Sequence, residues 1–123
     1  MRWGRIILGG FLAELVLIVV AIPSLAFGNQ TILNWVAVIG SAVTSCGAAI
    51  WVTRRVDSRF MLHGALTGVT AAVIYIALIV ASGQTQPLIY WVAHGFKIVG
   101  GAAGGMFAAR RMASAGGATR VSV

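Results

Sequence analysis

GRIILGGFLAELVLIVVAIPSLAF, residues 4–27, is an apolar run whose only charges are Arg5 near its start and Glu14 in its middle. A hydrocarbon layer about 30 Å thick is crossed by a helix of about 20 apolar residues, so this run is long enough to span it. Three further runs follow, over about Leu33–Thr53, Phe60–Ser82 and Ile89–Ala109. Backbone groups in lipid must find partners within their own segment, which makes each run a helix. The turns between them, at Gly28–Thr31, Arg54–Arg59 and Gly83–Pro87, are short. Short turns make successive helices antiparallel neighbours. The expected fold is an all-α polytopic membrane protein, a four-transmembrane-helix up-down-up-down bundle.

Composition points the same way. Of 123 residues, 59% are hydrophobic and 9% charged, against about 45–50% and about 25% in soluble domains. A soluble chain of this size leaves too much surface to hide that apolar content. Residues 1–112 are read as the transmembrane domain and residues 113–123, small and polar, as a flexible cytoplasmic tail. Ser24-Leu-Ala26 resembles a signal-peptide cleavage end. The run before it exceeds the usual apolar core of about 7–15 residues, so it is read as a retained span.

The formal net charge of +7 is a matter of topology. Eight of the nine basic residues are arginines, at the chain ends or in the middle loop; the other two loops carry no charge. The positive-inside rule then places both termini and the Arg54–Arg59 loop on the cytoplasmic side of the inner (plasma) membrane. Trp3 and Trp51 fall at that inner boundary and Trp35 and Trp91 at the outer one, as in aromatic belts. No basic surface remains for a nucleic-acid partner. The inner-rim arginines, Arg5, Arg54, Arg55, Arg59, Arg110 and Arg111, face lipid headgroups.

The two halves read as parallel copies of one helical hairpin, over about 4–55 and 59–111. Arg5, Leu8, Gly10 and Leu12 recur in spacing as Arg59, Leu62, Gly64 and Leu66. Trp35-Val-Ala37 with Arg54-Arg55 recurs as Trp91-Val-Ala93 with Arg110-Arg111. Such a repeat implies a pseudo-two-fold axis along the membrane normal.

Lys97 is the only lysine. At 1.5 Å per helical residue it lies roughly 20 Å from the Arg110 level, and Glu14 roughly 14 Å from the Arg5 level. An unpaired charge at that depth costs about 2.5–3.5 kcal/mol or more. A Glu14–Lys97 pair inside the bundle avoids this cost. His94, one turn outward, would extend a polar relay. Gly10 on span one, and Gly100, Gly101, Gly104 and Gly105 on span four, are expected to allow close helix packing. Span one is the expected neighbour of span four. Glu14 corresponds to Gly68 in the second half, and Lys97 to Ser41 in the first, so the charges exist once.

Other residues are assigned plainer roles. His63 is expected at the inner headgroups, and its distance from His94 argues against a shared haem. Thr67, Thr70 and Tyr75 are expected to bond between helices, Pro23 to kink or end its helix, and Asn34 to lie in a solvated turn. Cys46 allows no internal disulfide or thiolate cluster. Glu14 and Asp57 are too far apart for an acid/base pair. No enzyme, cofactor or metal is expected.

The layout resembles small four-helix inner-membrane proteins of bacteria. The likeness is carried by Trp3-Gly-Arg5, Gly9-Gly10, Glu14, Leu62-His-Gly64 and Ala93-His-Gly-Phe-Lys-Ile-Val-Gly-Gly101, and implies no particular activity. The residues themselves suggest a non-enzymatic module that packs with itself or with a larger membrane complex. The alternatives are a small transporter or proton-conducting protein using Glu14, Lys97 and His94, and a protein that binds anionic lipid at its arginine rim.

Overall fold

The structure is a computed structural model that describes residues 3–54, 56 and 58–118. It is all-helical, in the order α1 (Trp3–Ala26), α2 (Gln30–Thr53), α3 (Phe60–Ser82) and α4 (Leu88–Ala118). Local chemistry sets the helix ends. Gly28 and Gly83 follow α1 and α3 with φ of +62° and +68°. Glycine has no Cβ to oppose that left-handed turn. The Asn29 side chain caps α2 by accepting from the Thr31 and Ile32 amides, two of the donors a helix start leaves unpaired. Pro23 sits inside the last turn of α1, and the helix ends at Ala26. Asn34 belongs to α2, not to a turn, and its Oδ1 accepts from Gln30 Nε2 at 3.0 Å. α4 continues to Ala118, beyond the point where the tail was expected to begin; residues 119–123 lie outside the described residues.

Three helices, α1, α2 and α3, are long and apolar enough to cross a membrane by length and composition. α4 does not join them, although the sequence reading expects four spans. It carries Lys97 and His94, and four glycines replace larger apolar side chains over 100–105.

Those glycines explain how α4 packs. A methyl group on Gly100 would meet the Ala42 carbonyl, and one on Gly104 the Cys46 carbonyl, both on α2. One on Gly101 would meet the Gly64 carbonyl, and one on Gly105 the Phe60 carbonyl, both on α3. α4 therefore lies backbone to backbone against two helices at once, which only residues without a side chain permit. Gly10 of α1 sits against Thr70 and Ala71 of α3, and Gly9 against Val52 of α2. The expected α1–α4 packing is not found. Among the described residues, no Cα of α1 comes within 8 Å of one of α4. α4 fills the concave face that α2 and α3 present, and α1 closes the opposite side.

The interior is unusually polar and the exterior apolar. Glu14, Ser41, Ser45, Thr53, His63, Thr67, His94 and Lys97 are all buried among alanines and a few branched side chains. Phe11, Val19, Val43, Val73, Val80 and Val99 are exposed. Water-soluble monomers rarely expose contiguous apolar surface on this scale, and the apolar helices suit a membrane protein.

Candidate functional site

Glu14 and Lys97 come from the two helices that stand apart. Lys97 Nζ lies 2.5 Å from Glu14 Oε1, and both side chains are almost wholly buried, at 2% and 4% exposure. The pair thus crosses the interior between α1 and α4. Small residues make room for it: Gly68 of α3 lies directly against the Lys97 backbone. Lys97 Nζ also stands 4.5 Å from the centre of the Tyr75 ring, within cation–π range. In low dielectric the two charges compensate each other, and an additional ring face holds the ammonium in place.

Toward the N-terminal end of α4, polar and aromatic groups continue. The His94 ring lies 5.2 Å from that of Tyr75 and 5.9 Å from that of Trp91. Its Nε2 is 3.3 Å from Gln86 Oε1, in the turn just before α4. Tyr75 and Tyr90 stack with ring centres 6.3 Å apart and planes within 10°. A cavity of about 230 Å³ opens beside these groups, between α1, α2 and α4. Its walls are apolar and include Leu17, Ile18 and Ala21 of α1 and Ala37 of α2; Ser41, His94 and Lys97 lie at its polar end.

Several buried polar atoms here have no hydrogen-bond partner among the described residues: Glu14 Oε2, Ser41 Oγ and His94 Nδ1, with Ser45 Oγ and His63 Nε2 elsewhere in the bundle. Buried polar groups are ordinarily paired, so such a cluster requires an explanation. Three of these atoms belong to residues in or beside the cavity.

Other assignments change. His63 is buried against the other helices, and its Nδ1 lies 3.0 Å from the Arg59 carbonyl one turn earlier. Thr67 and Thr70 donate within α3, to the carbonyls of His63 and Leu66, each at 2.8 Å, and not between helices. Tyr75 meets Lys97, His94 and Tyr90 of α4 through its ring and interacts with the Gln86 side chain beyond its own helix. Arg54, Arg59, Arg110 and Arg111 are exposed. Arg5 stacks over Trp51 at 5.6 Å and Arg111 over Phe107 at 4.7 Å. Arg55 and Asp57 lie outside the described residues. Cys46 is half-buried on the α2 face that receives Gly104. Among the described residues no three His, Cys, Asp or Glu side chains gather to hold a metal ion.

Sequence reasoning had no hold on Gln86 or Tyr90. Gln86 falls in the Gly83–Pro87 turn, ahead of α4, so helical periodicity could not assign it His94 as a partner. Ser41 did carry a signal, as the repeat counterpart of Lys97.

No protein-family model matches the chain, and neither a curated protein nor a solved structure matches it.

Proposed function

We propose that the chain is a non-enzymatic integral membrane protein, a self-contained four-span module in which the Glu14–Lys97 pair clamps α1 to the rest of the bundle. The observation that carries this reading is the position of the pair, which bridges the two helices whose backbones stand apart. Contact registers support an up-down-up-down arrangement. Ala42 meets Gly100 and Cys46 meets Gly104, so α2 and α4 run in the same sense; Phe60 meets Gly105 and Gly68 meets Lys97, so α3 and α4 run oppositely. Positive-inside reasoning then sets both termini on the cytoplasmic side. α4 is the fourth span: its lysine is neutralised by Glu14 and its glycines face other helices, so low hydropathy does not translate into polar surface. The same packing moves the module's contacts with itself or with a larger complex away from the glycines, which are occupied internally, to the apolar exterior.

Two parallel hairpin repeats fit this arrangement. Gly68, the counterpart of Glu14, lies against Lys97, and Ser41, the counterpart of Lys97, shares its cavity. All four related positions surround one centre.

The second reading is proton or ion passage through Glu14, Lys97 and His94. It draws on the Gln86–His94 contact and on the unpartnered polar atoms. One experiment separates the two. Protein reconstituted in liposomes with an internal pH dye passes protons no faster than empty liposomes if the pair is a clamp. A flux present in the wild type and lost in the Glu14→Gln, Lys97→Met double variant transfers the assignment to the relay.

A further inference from the structure

The gap between α1 and α4 is where the bundle departs from two-fold symmetry. The symmetry-related pair, α2 and α3, approach closely, whereas α1 and α4 do not. The cavity occupies that gap. Its wall residues Ile18, Ile22 and Leu25 are exposed on the outer surface of α1, so a molecule dissolved in the bilayer reaches it laterally without crossing an aqueous face.

We propose that this cavity binds a neutral amphiphile with a flat ring head that bears carbonyl or hydroxyl oxygen and an apolar tail, the tail leaving past Ile18, Ile22 and Leu25 of α1 into lipid. The inference rests on the membrane-embedded reading above.

Volume, shape and charge each narrow the class. An apolar cavity of about 150 Å³ accepts one benzene ring, so about 230 Å³ has room for a substituted ring. The stacked rings of Tyr75 and Tyr90 line the cavity, and aromatic neighbours favour a planar head. The polar end offers groups that lack partners among the described residues: Ser41 Oγ, on a residue 1% exposed, and His94 Nδ1, on one 6% exposed. Both residues line the cavity. A carbonyl would accept from Ser41, and a hydroxyl would donate to His94 Nδ1, since the ring donates from Nε2 to Gln86 Oε1. Charge excludes the commoner membrane amphiphiles. Glu14 and Lys97 already neutralise each other, so an anionic or cationic head would enter low dielectric uncompensated.

Detergent-solubilised full-length protein, titrated with decyl-1,4-benzoquinone and followed by quenching of tryptophan emission, tests the proposal. Laurate and dodecane serve as charged-head and headless controls. Saturable binding of the quinone, with neither control competing, is the expected result. Ser41→Ala is expected to weaken binding about fivefold, the loss of one ordinary hydrogen bond. Ala21→Phe, which fills the cavity, is expected to abolish it while leaving the helical circular dichroism and the melting temperature in place. Competition by dodecane at equal affinity, or unchanged binding in Ala21→Phe, overturns the proposal. So does absence of quinone binding by protein that inserts with four spans. A protein that fails to insert with four spans contradicts the functional reading itself, and accessibility labelling of the same preparation reports that separately.

Discussion

Gly68 and Gly101 occupy positions where a single methyl group decides whether two backbones touch. Each would drive its Cβ into a carbonyl oxygen of the facing helix, that of Lys97 or of Gly64. Backbone cannot give way as a flexible side chain can, so Gly68→Ala and Gly101→Ala should each cost about 1–3 kcal/mol, the usual range for overpacking. Gly95, also helical, has open space where its Cβ would go. Gly95→Ala should be neutral or gain up to about 1 kcal/mol from helix propensity. Reversible unfolding in mixed micelles measures all three. Equal effects at the three sites would show that close approach is not what these glycines provide. At this scale the sequence was informative about kind and silent about partner. Glu14 and Lys97 announce themselves because charge in an apolar run is costly wherever it lies. A threonine announces nothing, since its hydroxyl can turn back to a carbonyl of its own helix, as Thr67 and Thr70 do.

Among the elements, α4 is the one whose reading depends on its surroundings. Taken alone it falls short of the composition of a span, whereas α1, α2 and α3 do not. Inside the bundle its glycines meet α2 and α3 and its lysine meets Glu14, so its outer face is carried by Trp91, Phe96, Val99, Met106 and Phe107. The prediction concerns the side on which its C-terminal end emerges. In a Cys46→Ser background, Ser114→Cys should react with an impermeant maleimide only when the cytoplasmic side is opened, and Thr85→Cys from the outer side of intact cells. Ser114→Cys labelled from outside would mean three spans. Helix ends were legible in the sequence because glycine and asparagine at 28, 29 and 83 act locally. The length of α4 was not, because small residues past Arg111 read equally well as tail or as helix.

For the whole molecule, the sequence determined that consecutive helices are neighbours but not how the two hairpins dock. Short loops constrain α1 to α2 and α3 to α4. Nothing in periodicity says whether α4 faces α1 or α2, and the glycines on two faces of α4 resolve it: they seat that helix between α2 and α3, leaving α1, packed on the same two helices, joined to α4 by an ion pair. The central claim is that this pair is a clamp. Removing one partner of a buried pair strands the other charge and typically costs about 3–5 kcal/mol, whereas replacing both with apolar groups of similar size is often neutral. A double-mutant cycle of Glu14→Gln and Lys97→Met, read as unfolding free energy in mixed micelles, tests it directly. The account predicts that each single variant loses about 3–5 kcal/mol and that the double variant returns to within about 1 kcal/mol of the wild type. Single losses that simply add in the double variant would contradict it.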